Sequence, residues 1–325
     1  MLYFGRRLLA AALISGAASA ALAQNYPSKP IHVVIPFAAG GLLDGTIRAL
    51  GQQITESVGQ PVVVENRPGG STFIGMTACA KAPADGYTVC ATTPDSLSYN
   101  PLLFTRVPYD PDDFAAVTNL AFTNNVIVAN ASAPFDSFKD MIAFARSKPG
   151  AINWGTWGTG SIPHIYLEWI SHHFSVDMAQ VPYKGAGQAI PALLGGEIHV
   201  TYGGLGFVLA SVRAGKLKAL AITGDQRSSL LPDVPAMNEL GGDPGLPSYF
   251  GVFAPAKTPG PVLEKLSSEM AKALQSPRMQ EFLKAQTLDP VGNSPREFGE
   301  FVRADREHAR RVFQSMGIRP VDGPL

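Results

Sequence analysis

Charge is scarce in this sequence, and it is balanced in sign. Only 16% of the 325 residues are charged, against roughly 25% in an average globular protein, and 26 Lys and Arg residues face 26 Asp and Glu residues. A nucleic-acid-binding protein would carry a basic excess, and a disordered chain would be poor in apolar residues, whereas 46% of this chain is hydrophobic. The composition argues against both classes. It predicts a folded protein of about two domains with no nucleic-acid partner.

Cysteine is scarce as well. Cys79 and Cys90 are the only two cysteines, so neither a C-x-x-C redox pair nor a four-cysteine zinc ribbon can form. They fall at the end of a predicted helix and in the strand that follows it. An oxidising compartment would permit a disulfide between them, but we favour the alternative of two buried free thiols.

Long apolar runs are missing beyond the N-terminus. Residues 1–23 carry Arg6 and Arg7, an apolar run over 8–20 and the sequence Ala21-Leu22-Ala23, which together are typical of a secretory signal peptide cleaved after Ala23. A membrane anchor is the less favoured interpretation, because the apolar run is shorter than the ~20 residues of a spanning helix. We therefore predict a periplasmic protein with a slightly acidic mature chain.

Recognisable catalytic and nucleotide-binding motifs are absent. The segment Gly158–Ser161 is followed by Ile162, so it lacks the second glycine of the G-x-S-x-G nucleophile motif, and no Walker A lysine loop occurs. His172 and His173 are adjacent, which points their side chains about 100° apart on a helix, and His164 has no obvious acidic partner in the sequence. We predict no catalytic residue, no metal and no cofactor. A secreted hydrolase built on the serine of that segment is the enzymatic alternative.

Short β-branched runs alternate with helical patterns along the chain, which predicts an α/β protein with parallel sheets covered on both faces. The pattern predicts strands at 31–35, 62–66, 87–92, 125–129, 153–154, 179–181, 199–202 and 217–223. It predicts helices at 43–58, 73–82, 137–146, 162–174, 188–194, 207–213, 261–274, 277–285 and 295–316. Two α/β lobes with a ligand cleft between them are the simplest arrangement.

Glycine-rich loops stand directly before three of the predicted helices, at Gly40-Gly41, Gly155–Ser161 and Gly185–Gly187. Glycine lets backbone N–H groups approach a ligand closely, and a helix N-terminus adds about half a positive charge. If the three loops face one cleft, they can hold an anion without any arginine. The alternative is that they are ordinary turns between strands and helices.

Ten segments of the chain match the pattern of a known family, in order and over almost the whole sequence after residue 23. They are 26–31 (YPSKPI), 36–44 (PFAAGGLLD), 59–69 (GQPVVVENRPG), 85–88 (DGYT), 100–101 (NP), 181–185 (VPYKG), 194–196 (LGG), 214–221 (AGKLKALA), 231–235 (LPDVP) and 254–259 (APAKTP). In these segments the chain resembles the Bug family, the periplasmic solute-binding proteins of tripartite tricarboxylate transporter systems.

The resemblance implies a two-lobed periplasmic binding protein of the type II-like, venus-flytrap kind that closes around a small carboxylate. Lobe 1 would comprise 24–123 and 250–325, and lobe 2 would comprise 124–249, because the family's chain crosses the hinge twice. The helical tail would return to pack on lobe 1.

The resemblance also implies which residues line the cleft. The loop Pro36–Asp44 would present amides to a carboxylate, through bridging waters, and Gly155–His164 would serve the other end of the ligand. Tyr183–Gly185 would form a third wall, and the segment after the third strand would line the floor. The predicted ligand-binding residues are Phe37, Ala38, Gly40, Gly41, Asp44, Phe73, Thr93, Ser96, Thr156, Trp157, Thr159, Gly160, Ser161, His164, Tyr183, Lys184, Gly185, Gly204 and Phe207.

Two charged residues in this set have a second interpretation. Asp44 would serve equally as the N-cap of its own helix. Lys184 would fit a solvated position on the rim better than a direct salt bridge to the ligand.

Departures from the family pattern bear on the choice of ligand. Phe73 stands at a position where a polar residue is common in the family, and Trp157 stands where Ser or Ala is usual. Gly203-Gly204, which Phe207 follows, replaces an Asp-Asn type of pair that family members often have. Losing a carboxylate and gaining aromatic rings makes the cleft less suited to the ammonium group of an amino acid. We predict a carboxylate with an apolar or aromatic body, such as an aromatic mono- or dicarboxylate, although Trp157 would fit a core position as well.

The expected partners are the integral-membrane permease subunits of such a transporter, with the protein acting as a monomer. The sequence leaves open a second role, in which the closed form is presented to the ectodomain of a sensor kinase. Both roles need the same cleft.

Overall fold

The computed structural model describes residues 26–323, so the predicted signal peptide lies outside the described residues. Within that range the chain forms two β-sheets. The first sheet has the strand order β11-β4-β10-β3-β1-β2. Its strands are β1 (Ile31–Ile35), β2 (Val62–Asn66), β3 (Thr88–Thr92), β4 (Phe114–Thr123), β10 (Tyr249–Pro255) and β11 (Leu288–Pro290).

The second sheet has the strand order β7-β6-β8-β5-β9. Its strands are β5 (Asn125–Asn130), β6 (Asn153–Thr156), β7 (Ala179–Pro182), β8 (Val200–Gly204) and β9 (Leu217–Ile222). In the first sheet β1 is parallel to β2 and β3, and in the second sheet β6 is parallel to β7 and β8.

The expectation of purely parallel sheets is wrong. In the first sheet β10 runs antiparallel to both β3 and β4, and in the second sheet β5 runs antiparallel to β8 and β9. These antiparallel strands are the ones at which the chain passes between the sheets. A strand that enters a sheet directly from the other sheet has no crossover helix to bring it back parallel.

Helices cover the faces of both sheets. They are α1 (Leu42–Val58), α2 (Phe73–Ala80), α3 (Asn100–Leu103), α4 (Phe138–Ser147), α5 (Ile162–Phe174), α6 (Ala186–Gly195), α7 (Leu205–Arg213), α8 (Gly260–Leu274), α9 (Pro277–Ala285) and α10 (Pro295–Ser315), with a π-helical turn at Asp95–Tyr99. None of the helices within 26–323 combines the length and the apolar character needed to span a membrane. The predictions for β1, β2, α5 and α9 match to the residue.

Periodicity explains why these helices form and how they pack. In α1 the apolar residues Leu43, Ile47, Leu50 and Ile54 recur on one face and are all buried against the first sheet. The long α10 begins at a capping box, in which Glu297 N–H donates to the hydroxyl of Ser294 (3.3 Å) while the Glu297 carboxylate accepts from Ser294 N–H (3.0 Å).

The chain passes between the sheets at two neighbouring places. It leaves the first sheet after Thr123 and enters the second at Asn125, and it returns between β9 and β10. The outgoing and returning segments are bonded to each other, because Thr123 N–H donates to the Ser248 carbonyl (2.9 Å) and the two hydroxyls lie 2.7 Å apart. The lobe boundaries predicted at 123/124 and 249/250 stay a prediction.

Cys79 and Cys90 form a disulfide with a Cα–Cα distance of 6.0 Å, so the preference for two free thiols is wrong. Cys79 lies on the buried face of α2, and Cys90 lies in the middle of β3. Because α2 packs across the sheet beside β3, the turn between them brings two buried cysteines together. Sequence spacing alone does not indicate this contact.

Candidate ligand-binding site

A cavity lies between the two sheets, where α1, α5 and α6 all begin. We call it the inner cavity. It has an empty volume of about 600 Å³, including its opening to solvent. Its lining comes from both sheets and consists of Phe37, Ala38, Gly41, Leu42, Leu43, Asp44, Thr93, Thr123, Asn125, Trp157, Ile162, Ala186, Tyr202, Gly204, Ser248 and Phe250.

The helix N-termini direct backbone N–H groups toward this space. The first hydrogen bond of α1 runs from Gly45 N–H to the Gly41 carbonyl (3.0 Å), and that of α5 from Ile165 N–H to the Ser161 carbonyl (3.0 Å). The amides that precede the first bond of α1 have no partner within their own helix, whereas in α5 Pro163 has no N–H and the Ile162 amide lies beside Asp95. Together with the helix dipoles they form a surface suited to an anion.

The carboxylate of Asp44 lies in the cavity wall and is neutralised from behind. Its Oδ2 accepts from Gly40 N–H (3.0 Å), and its Oδ1 accepts from Arg48 Nε (3.1 Å) and lies 3.0 Å from Arg48 Nη2. Burial raises the pKa of this carboxyl, but the hydrogen bonds from Arg48 and Gly40 outweigh that effect and leave the pKa below its ordinary value. Asp44 is therefore ionised and already paired.

Arg48 extends this network to the loop that bears Phe37. Its Nη2 also donates to Asn66 Oδ1 (2.9 Å), and Asn66 Nδ2 donates to the Phe37 carbonyl (3.1 Å). The loop after β1 is thus fixed by side chains of α1 and β2. Gly41 is the N-cap residue of α1. Asp44 therefore does not act as the cap, and its carboxylate accepts from Gly40, the residue before the cap.

Polar residues from the crossings between the sheets form the floor of the inner cavity. The Thr93 hydroxyl is buried there and has no hydrogen-bond partner in the part of the chain that the structure describes. Asn125 Nδ2 donates to the Thr123 carbonyl (2.9 Å) and hydroxyl (2.8 Å). Thr123, Asn125, Tyr202 and Ser248 also line the inner cavity and are not among the residues that the sequence predicts for the site. Thr123 alone had such a signal, because it is the last residue of β4 and ligands of open α/β sheets bind at the carboxyl ends of strands.

A buried carboxyl group lies behind the floor. Asp95, in the segment after β3, is 2% exposed, and within residues 26–323 neither of its carboxyl oxygens has a hydrogen-bond partner. Burial raises its pKa to about 7, against the opposing effect of the Ile162 amide at the N-terminus of α5. Asp95 follows a strand of the first sheet, whereas α5 follows a strand of the second, so this proximity joins the two halves of the molecule.

The loops on either side of the cavity are in direct contact. Ala38 N–H, after β1, donates to the Lys184 carbonyl (2.9 Å), before α6. Gly187 lies so close to the same loop that a Cβ atom there would be 2.2 Å from the Ala39 carbonyl oxygen. The two sides of the cleft are therefore closed on each other. Lys184 contributes its backbone to this contact, and its side chain is exposed.

A second and wider space, the outer groove, lies outside the inner cavity and has an empty volume of about 1230 Å³. Phe37 and Trp157 line both spaces, so their rings separate one from the other. The other lining residues are Pro36, Gly69, Gly70, Ser71, Thr72, Phe104, Gly158, Thr159, Pro182, Tyr183, Lys184, Gln188, Val321, Asp322 and Gly323.

The structure brings part of the predicted site together. The predicted residues that line the inner cavity are Phe37, Ala38, Gly41, Asp44, Thr93, Trp157 and Gly204, and those that line the outer groove include Thr159, Tyr183 and Lys184. Gly40 and Gly185 lie in the loops beside the cavity, where Gly40 bonds Asp44 and Gly185 packs on Ala38. The lining of the two spaces does not include Phe73, Ser96, Thr156, Gly160, Ser161, His164 or Phe207.

The aromatic residues Phe73 and Phe207 belong to the hydrophobic core. Phe73 is 6% exposed and packs edge-on against Phe104 (5.2 Å between ring centroids) and Tyr109 (6.0 Å). Phe207 packs on the apolar cluster between α7 and the second sheet. Neither residue is part of the lining of the inner cavity, whose aromatic residues are Phe37, Trp157, Tyr202 and Phe250.

The hydroxyls of Ser96 and Thr156 are used within the protein. Ser96 Oγ lies 2.6 Å from Thr92 Oγ1 and donates to Thr72 Oγ1 (3.0 Å). Thr156 Oγ1 accepts from Gly158 N–H (3.2 Å) and from the side chain of Gln180 (2.9 Å). They shape the loops around the cavity instead of reaching into it.

Ser161 and His164 do not form a nucleophile and base. Ser161 Oγ donates to the Gly158 carbonyl (2.6 Å), while His164 Nδ1 accepts from Gly160 N–H (3.3 Å). His164 does have an acidic neighbour, Glu168, 3.6 Å away one helical turn later, which the sequence analysis overlooked. Burial lowers the pKa of His164 to about 4. The serine of the hydrolase alternative thus serves the turn before α5, and so does His164.

Comparison with known proteins identifies the family. The model of the tripartite tricarboxylate transporter family receptor matches residues 46–318. The chain belongs to this receptor family. The periplasmic binding protein BugD is 28% identical to this receptor, with a TM-score of 0.86 over 91% of this chain and all of the other.

Two further solved structures similar to this receptor contain dicarboxylates. Rpa4515 of R. palustris, solved with adipate, is 32% identical, with a TM-score of 0.85 over 91% of the receptor and all of the other chain. MatC (Rpa3494) of Rhodopseudomonas palustris, with bound malate, is 27% identical, with a TM-score of 0.83 over 88% of the receptor and 99% of the other chain. The resemblance to the Bug family and the periplasmic-binding-protein fold are thereby confirmed.

Proposed function

We propose that this receptor captures a small dicarboxylate in the inner cavity and delivers it to the permease subunits of a tripartite tricarboxylate transporter. The observation that carries the proposal is the meeting of three helix N-termini at a cavity in which Asp44, the one charged residue of the described lining, is already neutralised. Such a cavity offers amides and hydroxyls to an anion without opposing charge. Adipate and malate, which the two structures above contain, belong to this class.

The body of the ligand should be apolar. The inner cavity is lined by the apolar side chains of Leu42, Trp157 and Phe250. Phe37 also lines it, and both Phe37 and Trp157 border the outer groove as well. We infer that one carboxylate lies at the N-termini of α1 and α6, that the apolar body lies along these side chains, and that the other end contacts the Thr93 floor. The prediction of an apolar or aromatic body thus rests on Trp157 and no longer on Phe73 or Phe207.

Four further features belong to the proposal. The receptor acts without catalysis in the periplasm, after cleavage of the signal peptide behind Ala23, and its lobes meet at 123/124 and 249/250. The similarity to BugD, a periplasmic binding protein, supports the location. The family supports the permease as partner, in preference to a sensor kinase.

A binding panel tests the ligand class. Adipate, malate, citrate, terephthalate and benzoate are compared with dimethyl adipate, which keeps the carbon chain of adipate but has no charge. A bound dicarboxylate at 100 times its Kd should raise Tm by about 4–5 °C, and dimethyl adipate should leave it unchanged. Stabilisation by citrate alone would overturn the proposed class, and so would equal binding of the ester.

A cellular test addresses the partner. Cells that lack the receptor should fail to take up the labelled acid and should regain uptake when the receptor is supplied with its signal peptide. N-terminal sequencing of the exported protein should begin at Gln24. Unchanged uptake, with loss of an acid-induced transcriptional response, would favour the sensor role instead.

A further inference from the structure

The inner cavity has an unusual wall for an anion site, because Asp44 belongs to it. Asp44 is the only residue with a charged side chain among the described lining residues, and that side chain is 7% exposed. A buried carboxylate beside a bound dicarboxylate would repel it, and the low dielectric of the site would strengthen the repulsion. Something must cancel this charge if the cavity is to accept anions.

Arg48 supplies the opposite charge from outside the cavity. Its Nε lies 3.1 Å from Asp44 Oδ1 and 3.2 Å from Oδ2, and its Nη2 lies 3.0 Å from Oδ1. Arg48 is not part of the lining, and its side chain is 49% exposed. The guanidinium therefore neutralises the wall without touching the ligand.

The orientation of Arg48 is fixed independently of Asp44. Its Nη2 donates to Asn66 Oδ1 (2.9 Å) in β2, and Asn66 is in turn bonded to the Phe37 carbonyl. A lysine could not reproduce this arrangement, because the planar fork of arginine makes both contacts at once. The ion pair of Asp44 and Arg48 in α1 is thus held in place by Asn66 of β2.

We propose that Arg48 is a positioning residue that sets the charge selectivity of the receptor. Paired with Arg48, Asp44 is a neutral part of the wall, and the cavity accepts dianions. Without Arg48, Asp44 keeps its hydrogen bond from Gly40 N–H but loses the opposite charge, so that it repels a carboxylate and attracts an ammonium group. This inference rests on the proposed dicarboxylate function and explains how an acidic residue is compatible with it.

Two ligands of matched length test the inference. Adipate carries a carboxylate at each end, and 6-aminohexanoate replaces one of them with an ammonium group on a chain of similar length. In R48Q we expect the affinity for adipate to fall at least tenfold, while the affinity for 6-aminohexanoate rises. The ratio of the two affinities should therefore fall by a larger factor than the adipate affinity alone. The double variant D44N/R48Q removes both charges and should restore adipate affinity to within about threefold of wild type.

The outcomes separate a charge effect from a structural one. Equal loss of affinity for both ligands in R48Q, or a double variant as weak as R48Q, would overturn the proposal. If R48Q does not fold, D44N/R48Q carries the test, since its adipate preference must then match that of wild type. Failure of the proposed function is distinguishable, because wild type would then bind no acid of the panel.

Discussion

The backbone N–H of Ala38 donates to the carbonyl of Lys184 over 2.9 Å, and this bond links a loop of the first sheet to a loop of the second. Gly187 and the Ala39 carbonyl lie next to it in equally close contact. Closure of the cleft therefore takes place between main-chain atoms. It requires that position 187 carry no side chain.

A methyl group at position 187 should hold the cleft open. In G187A the new Cβ would be 2.2 Å from the Ala39 carbonyl oxygen, a distance that backbone atoms cannot accommodate without separating. We expect the affinity for the tightest-binding acid of the panel to fall at least tenfold, with a larger radius of gyration in small-angle X-ray scattering. The matched control is G195A in the same helix, where a Cβ would meet only the Glu197 carboxylate at 3.9 Å. Wild-type affinity in G187A would contradict the role of this contact.

The hydroxyl of Thr93 should affect binding and stability in opposite directions. It is buried without a hydrogen-bond partner at the cavity floor, so T93V removes an unsatisfied group from the ligand-free protein while keeping its shape. Calorimetry should show the ligand bound about 1–2 kcal/mol more weakly, with Tm of the ligand-free protein unchanged or raised. T93S keeps the hydroxyl and should retain most of the affinity. Unaltered binding by T93V would remove Thr93 from the site.

The buried carboxyl of Asp95 should make stability depend on pH. Its folded pKa of about 7 lies above the ordinary value of 3.8, so between about pH 4 and 7 the folded protein retains a proton that the unfolded chain releases. The free energy of unfolding should therefore fall as pH rises through this window, by about 1.4 kcal/mol per unit of pKa difference. D95N cannot ionise, and its stability advantage over wild type should grow from pH 4 to pH 7 in urea titrations.

Asp305 provides the comparison for this experiment. Burial raises the pKa of Asp305 to about 6, so the advantage of D305N should be complete about one pH unit lower than that of D95N. His164 acts in the opposite sense in wild type, because its pKa is lowered to about 4. For this reason the difference between each variant and wild type is the quantity to follow. A constant difference from pH 4 to 7 would contradict the assignment to Asp95.

The disulfide should contribute to stability through the unfolded chain. Cys79 and Cys90 are 11 residues apart, and closing a loop of this length stabilises the folded state by about 3 kcal/mol in the chain-entropy model. Urea unfolding of the oxidised protein should thus occur at a higher midpoint than unfolding of the reduced protein. C79A/C90A should show no response to reductant. Two titratable thiols in the purified, unfolded protein would contradict the bond.

The elements that the sequence predicts well are those with local signals. In α1 four apolar residues repeat at helical spacing before Gly59, and the structure has the helix there from Leu42 to Val58. The strands β4, β10 and β11 were not predicted. β10 contains Gly251 and ends at Pro255, which weaken any local strand signal, and it is a strand because it pairs with residues more than 100 positions away.

The site was predictable where it depends on loops before helices, as at Gly41 and Trp157. It was not predictable where burial decides the role of a side chain, because Phe73 and Trp157 are equally aromatic in the sequence and only the packing of α2 places Phe73 in the core. Thr123 and Ser248 were missed for another reason. They become neighbours only because the chain crosses twice at the same place.

The main-chain contact at Gly187 makes closure of the loops independent of ligand recognition. Because backbone atoms bring the loops together, the closing step does not depend on the side chains that recognise the ligand. Over evolutionary time, substitutions at the cavity wall can change the cargo while the closing step is inherited unaltered. A single scaffold can in this way give rise to receptors for many acids, provided that position 187 remains a glycine.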